Sequence, residues 1–331
     1  MKRPERGASI VLKGALLLAL CLAGCTAKPD STLLKLAHGL DPSHPVHRAM
    51  EFMAARVFEK SGGRIRIDIY PSEQLGSERE CLELLQIGSL HMTKVSCSVL
   101  EGFVPEMSVL SLPYVFRDEE YRFKVLDGEI GRELLLAGDP YRLRGLCFYD
   151  AGTRSFYSKT KPILSPDDLA GLKVRTQESP TSMRMVQTLG GSPTPISWGE
   201  LYSALQQGVV DAAENNPPSF FLSHHYEVCP YYSLDEHTGV PDVLLIGTKT
   251  WNGLSPEDRG ILQEAADASS RYQRGLWQEA TRQALEEVRK AGVKIFHPDK
   301  KPFIEKVSSL YREFREKPRL SRLLDRIRSV R

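Results

Sequence analysis

The stretch Ser197-Trp-Gly-Glu-Leu-Tyr-Ser-Ala-Leu-Gln-Gln-Gly208-Val-Val-Asp-Ala-Ala-Glu-Asn-Asn216-Pro-Pro-Ser219 carries the plan of the fold. It opens on Ser-x-x-Glu, a pairing in which serine and glutamate satisfy each other's free N–H groups at a helix start. The run then reaches Gly208, a residue that can take the left-handed conformation with which helices close. A short apolar segment follows and stops abruptly at Glu214, Asn215 and Asn216, where a double proline forbids continuation. A strand that ends in so many hydrogen-bonding groups is expected to end at a ligand.

The same grammar occurs once more, in Ser77-ERECLELLQI-Gly88-SLHMTKVS. Ser77 and Glu80 repeat the capping pair, Gly88 stands as far after Ser77 as Gly208 after Ser197, and Leu85 and Gln86 match Leu205 and Gln206. Two lobes of similar topology are implied, each with a helix–glycine–strand unit. Ligands of open α/β sheets bind beyond the carboxyl ends of strands, so Lys94 to Cys97 and Glu214 to Asn216 should face one cleft from opposite lobes.

Around these units, LLKLAHG reads as a first strand and Pro42 and Pro45 open a helix to about Phe58. After Gly62-Gly63, RIRIDIYP alternates with period two, the mark of a half-buried strand. This βαβ order predicts a parallel or mixed sheet with helices on its faces. SLPYVF and LRGLCFYD read as strands or buried segments, RSFYSK and VKIFHP as strands. Ser255, Pro256, Glu257 and Asp258 form a helix start. Ile261, Leu262, Ala265, Ala266, Tyr272, Leu276, Ala280, Leu285 and Val288 continue it to Gly292, as one helix or two in line bridging both lobes.

The 331 residues, 41% hydrophobic, suffice for a sizeable core and predict two domains. A net charge of +2 gives no reason to expect nucleic acid or a strongly acidic partner. The basic C-terminus, REFREKPRLSRLLDRIRSVR, reads as a solvated helix. At the N-terminus, Lys2, Arg3, Arg6 and Lys13 precede an apolar run from Ala15 to Ala23. That run is short of the ~20 residues a membrane span needs and has the layout of a secretory signal. Leu22-Ala23-Gly24-Cys25 resembles the lipobox of bacterial lipoproteins, which implies cleavage before Cys25, acylation of its sulfur, and residues 25–32 as a tether at the membrane's outer face. An ordinary signal peptide with a chance cysteine is the alternative. Cys81, Cys97, Cys147 and Cys229 show no Cys-x-x-Cys pair, which argues against zinc and leaves one disulfide or buried thiols open.

Enzyme motifs are missing: no His-Glu-x-x-His, Gly-x-Ser-x-Gly, P-loop or dinucleotide fingerprint occurs. His44 and His47 lack the further ligands of a metal site and read as an exposed helix start. His224 and His225 point different ways, and Asp211 is expected to tie a strand end. Arg154 stands in GTRSFYSK, and Leu172-Lys173-Val174 delivers Arg175 to a strand's carboxyl end. The planar guanidinium suits a carboxylate because it donates two parallel hydrogen bonds, although a surface salt bridge is the plainer reading of either arginine alone.

GTRSFYSKTKPILSPDDLAGLKVR, GGSPTPISWGELYSALQQGVVDAAEN, HYEVCPYYSLDEHT and WNGLSPEDRGILQEA together resemble the DctP family of tripartite ATP-independent periplasmic (TRAP) transporter solute-binding proteins. Weaker agreement extends from Leu36 to IFHPDKKPF. The resemblance implies the α/β, two-lobed periplasmic solute-binding fold (type II-like), with mixed sheets flanked by helices and a long bridging helix. Lobe I would hold 33–151 and 240–279, lobe II 152–239 and 280–331. It further implies a monomeric receptor without enzyme activity, cofactor or metal, which hands an organic acid to the small and large membrane subunits of a TRAP permease.

By the same resemblance, Arg175 grips the ligand carboxylate, Arg154 supports it, Asn215 binds a carboxylate oxygen or hydroxyl, and Trp198 walls the pocket. Two departures stand out. Ala212 replaces a glycine that the family often has, and Asn216 adds a second carboxamide. A glutamate of the sialic-acid branch aligns with Ser96, which argues against sialic acid. With His225-Tyr226-Glu227 and Asp235-Glu236-His237, the pattern is most similar to members that take hexuronates or related sugar acids. Lys94, Ser96, Glu80 and His38 would then supply further donors and acceptors. A C4-dicarboxylate would instead use Lys94 as a second cationic anchor, and the same receptor could feed a sensor kinase or chemoreceptor.

Overall fold

The computed structural model describes residues 32–330, so the expected signal and Cys25 lie outside the described residues. Thr32, placed at the tether's end, already belongs to a strand. Eleven strands follow in chain order: β1 (Thr32–Ala37), β2 (Ile65–Tyr70), β3 (Met92–Ser96), β4 (Leu143–Tyr149), β5 (Arg154–Ser158), β6 (Lys173–Thr176), β7 (Ser192–Pro195), β8 (Ala212–Asn215), β9 (Tyr231–Thr238), β10 (Asp242–Gly247) and β11 (Lys294–Phe296). They make two mixed sheets, ordered β2-β1-β3-β10-β4 and β11-β9-β5-β8-β6-β7. The α/β architecture agrees with the sequence reading.

The period-two pattern of β2 works as expected. Ile65 and Ile67 are buried in a cluster with Val46, Met50, Met53 and Val57 of the helix Pro45–Lys60, while Arg66 turns outward to Asp68 at 2.7 Å. β1 and β2 run parallel in register from Thr32 opposite Ile65 to Ala37 opposite Tyr70. SLPYVF is largely buried but forms no strand. Ala212 lies extended inside β8, so the expected departure from glycine carries no backbone strain.

The two repeated units match in detail. Helix Glu78–Ile87 closes at Gly88 (φ +81°) and helix Leu201–Gln207 at Gly208 (φ +74°), each glycine N–H donating to the corresponding pair of carbonyls, Leu84 and Leu85 or Ala204 and Leu205. Their starts differ. Ser77 and Glu80 form a full capping box, whereas Ser197 bonds Glu200 at 2.7 Å but the helix begins only at Leu201. Gly199 lies so close to Glu73 that an added Cβ would sit 2.3 Å from its carboxylate, which fixes the loop before the helix.

Each unit's strand then ends by capping a further helix. Ser96 accepts from the Ser98 N–H at the start of Cys97–Leu100, and Asn216 accepts from the Ser219 N–H, 2.8 Å, at the start of Pro217–Leu222. The C-terminal end of β3 in the first sheet and of β8 in the second therefore meet at one place.

From Pro256 to Lys290 runs a single 35-residue helix, about 52 Å long at 1.5 Å per residue, packed on Pro45–Lys60 and β4 at one end and on Pro217–Leu222 at the other. The chain also crosses between the sheets from β4 to β5 and from β9 to β10. At the first crossing Gly152 has φ +59°, and a Cβ there would lie 2.8 Å from the indole nitrogen of Trp277 on the long helix. The helix Lys301–Arg315 packs on Pro180–Leu189, and Pro318–Ser329 packs on Pro105–Leu110 and Glu129–Leu136. Its Leu320, Leu323, Leu324 and Ile327 are buried, so the basic terminus is amphipathic rather than merely solvated. Cys81, Cys97, Cys147 and Cys229 are all buried free thiols.

Candidate ligand cleft

The second sheet builds one wall from three strand ends. Antiparallel pairing of β5 with β8 sets Ser155 opposite Asn215 and Phe156 opposite Glu214, which brings Arg154 onto the Glu214–Asn215 pair. The Arg154 guanidinium engages the Glu214 carboxylate through Nε and Nη2, the Glu214 carbonyl through Nη2 at 2.8 Å, and Asn215 Oδ1 through Nη1 at 2.9 Å. Burial alone would raise the Glu214 carboxyl, but Arg154 and His237 together outweigh it and bring its pKa down to about 2. Asn215 Oδ1 also accepts from the Asn216 N–H at 2.9 Å, so only the amino group of its carboxamide is left for a ligand. The hydroxyl of Tyr232 fixes the Asn215 carbonyl at 2.8 Å.

Arg175, at the end of β6, is the opposite case. Its Nε donates to the Ile196 carbonyl at 2.9 Å, while Nη1 is buried with no partner and no carboxylate pairs with it among the described residues. Burial lowers its pKa from the ordinary arginine value. A buried cation without a counter-charge costs several kcal/mol unless something neutralises it, so this wall is built to receive an anion.

Across the cleft the first sheet presents Lys94 on β3. Its ammonium is buried between Glu78 Oε1 at 3.0 Å and Asp242 Oδ2 at 3.2 Å. Burial pulls the ammonium's pKa down, but the two carboxylates more than reverse this and leave it raised. Glu78 also accepts from the Ser96 N–H at 3.2 Å, and the Ser96 hydroxyl donates across the cleft to Gln177 at 3.3 Å. Trp198 lines the same pocket, half-buried, its indole edge-on to His225 with ring centres 5.2 Å apart. The cleft is closed by further contacts between the walls: Glu73 against the Gly199 N–H, His44 Nε2 3.4 Å from Ser219 Oγ, and Glu101 with the Ser179 hydroxyl and Thr181 N–H, both 2.7 Å.

Residues 36–317 match the family described as bacterial extracellular solute-binding protein, family 7 (DctP). The chain belongs to this family. A solved TRAP periplasmic solute-binding protein from a Bradyrhizobium species, in complex with D-galacturonate, is 40% identical with a TM-score of 0.87, covering 89% of this chain and 98% of that one. One from Anaerococcus prevotii, with bound D-glucuronate, is 37% identical with a TM-score of 0.89, covering 91% and 98%. The C4-dicarboxylate-binding periplasmic protein DctP of Rhodobacter capsulatus is 31% identical over 287 residues, 86% of each chain. This DctP-family chain is accordingly a solute receptor of the periplasmic kind and not an enzyme.

Of the receptor's expected site residues, Arg154, Arg175, Trp198, Asn215, Asn216, Lys94 and Ser96 line one pocket. Two do not. Glu80 is exposed and spends its carboxylate on the Ser77 cap, 2.8 Å from the Ser77 N–H. Glu78, two residues and so roughly 200° of helix rotation away, takes the inward place. His38 is buried behind the wall with both ring nitrogens used, by His47 at 2.9 Å and the Leu40 N–H at 3.0 Å. His44 lines the pocket in its stead, and His44 and His47 are both buried rather than at an exposed helix start. His225 is buried on the Tyr157 hydroxyl at 2.8 Å and His224 is exposed. Glu78, Asp242 and Gln177 were not singled out by the sequence as site residues, and His44 was weighed only as a metal ligand. Asp211 does tie a strand, accepting from the Lys173 N–H at 2.9 Å.

Proposed function

We propose that this protein captures a hexuronate, such as galacturonate or glucuronate, and delivers it to a TRAP permease. One observation carries the reading: the unpaired Arg175 guanidinium faces a Lys94 already saturated by Glu78 and Asp242. A single ligand carboxylate sits on Arg175, with Arg154 and the Asn215 amide holding it in place. The far wall carries two carboxylates against one ammonium and repels a second ligand carboxylate. Its oxygens accept hydrogen bonds from hydroxyls instead, as the polyhydroxylated end of a sugar acid provides. The Trp198 face covers the carbon side of the ring. Asn216, its oxygen spent on a helix cap, contributes only its amino group. The bound galacturonate and glucuronate of the related structures support this assignment.

Lobes I (33–151 with 240–279) and II (152–239 with 280–331) close over the ligand, whose binding energy drives the hinge. The monomeric receptor then docks on the small and large permease subunits. Acylation of Cys25 holds it at the outer face of the cytoplasmic membrane. A labelled fatty acid should be incorporated by wild type and not by Cys25→Ser, and absence of label in wild type would remove the lipid anchor.

Thermal unfolding against a panel of acids tests the ligand. At a hundred times its dissociation constant a hexuronate adds about 2.7 kcal/mol of stability. Galacturonate or glucuronate should raise Tm by about 5 °C, and succinate and malate should not. A shift with succinate or malate alone overturns the reading and makes Lys94 an anchor that sheds its partners.

A further inference from the structure

Behind Arg154 lies a residue that does not line the candidate pocket. His237, on β9, is fully buried, its ring tilted against Phe156 with centres 4.3 Å apart. Nδ1 is 2.8 Å from Asp235 Oδ2, and Nε2 is 3.5 Å from Glu214 Oε2, an ion-pair distance without a hydrogen bond. Asp235 is itself fixed, since its other oxygen accepts from the Phe156 N–H at 3.1 Å. A line of charged groups thus runs from Asp235 through His237 and Glu214 to Arg154, with Arg175 beside its end.

The charges of this line decide what the wall can bind. Counted together, Arg154 and Arg175 are matched in number by Glu214 and Asp235, although neither carboxylate pairs with Arg175, so without a proton on His237 the wall has no net charge. With that proton it carries one positive charge, the amount a single carboxylate ligand balances. Other neighbours of the imidazole are already paired or uncharged. Arg122, in the cavity that His237 also lines, pairs with Asp150 at 2.8 Å, Lys300 pairs with Glu236, and Tyr157 and Tyr232 are neutral phenols.

We propose that His237 is a buried imidazolium whose charge, relayed through Glu214 to Arg154, is the charge that the ligand's carboxylate balances. It is a positioning residue: it orients Glu214, which orients Arg154 and through it Asn215. Burial by itself would lower the imidazole's pKa, but Asp235 and then Glu214 raise it to about 9, so the cation persists through neutral pH. The inference deepens the carboxylate reading of the cleft and rests on it for its binding arm.

The test is the dissociation constant of D-galacturonate between pH 6.5 and 10 for wild type, His237→Gln and His237→Gln/Asp235→Asn. Wild type should bind evenly up to about pH 8 and weaken steeply above pH 9. His237→Gln should bind at least tenfold more weakly at pH 7, with no such decline. The double variant, which restores the net charge, should regain most of the affinity and stay flat. A single variant that keeps the wild-type pH profile, or a double variant no better than the single, overturns the relay. Stability without ligand gives an independent reading. A folded pKa of about 9 against an ordinary 6.5 means wild type loses stability as pH rises from 7 to 9, and His237→Gln should not. Equal slopes overturn the proposal, whereas failure of galacturonate to bind wild type at any pH refutes the ligand assignment alone.

Discussion

Arg175→Ala is expected to weaken hexuronate binding roughly 150- to 4,000-fold, from the ~3–5 kcal/mol lost when a buried ion pair is broken on one side. Among the described residues the guanidinium has only the Ile196 carbonyl as a partner, and Nη1 is buried and unsatisfied. On the proposed reading the ligand carboxylate satisfies it in the complex. Without the arginine that carboxylate is buried uncompensated. Arg175→Lys should fail almost as badly, since an ammonium is a point charge where a two-pronged donor is needed. The ligand-free protein should respond in the other direction. Arg175→Met removes a buried cation that has no counter-charge, so its Tm without ligand should equal or exceed that of wild type. Calorimetric titration of Arg175→Ala and Arg175→Lys, with unfolding of Arg175→Met, decides the matter. Near-normal affinity in Arg175→Ala would sink the assignment, and a large loss of ligand-free stability in Arg175→Met would show the arginine to be structural.

The second large effect is acid lability. Burial, with Lys94 next in order for His38 and His44 and Arg175 for His225, lowers these pKa values to about 2, 3 and 3. All three side chains are buried. The unfolded chain takes up protons at these positions near pH 6.5 and the native protein does not, so stability must fall as pH drops below 6.5. At pH 5 each site costs about 2 kcal/mol, and three cost at most about 6 kcal/mol, a large share of an ordinary protein's stability. Glu73, Glu101, Asp150 and Asp242 run the other way, because burial raises their carboxyls and acid relieves them. The net fall in Tm between pH 7 and pH 5 should be on the order of 5–10 °C. Replacing one imidazole isolates its share: His225→Gln should shrink the stability difference between the two pH values by about 2 kcal/mol. An unchanged difference would show that His225 accepts its proton in the native state.

What the sequence revealed is what local chemistry encodes. Both helix–glycine–strand units were legible because Ser77, Gly88 and Gly208 act on their own neighbours, and Arg175 was legible because a strand points it forward. Features made by distant pairing were not. Asp242 reaches Lys94 only because β10 inserts beside β3 and sets Asp242 opposite Ser96, a register no local pattern announces. The choice of Glu78 over Glu80 needed the rotation of their helix. His44 read as exposed because nothing near it in the chain tells that Trp277, on the long helix, will pack 5.7 Å from it.

The place of β10 also bears on how the molecule can be made. Strands β3 and β4 are separate neighbours of β10 and do not pair with each other, so the first sheet has a gap between β3 and its edge strand β4 until residues 242–247 arrive. No amount of waiting lets the first 150 residues complete that sheet alone. Such late, non-local closure makes for slow folding and leaves strand edges open meanwhile.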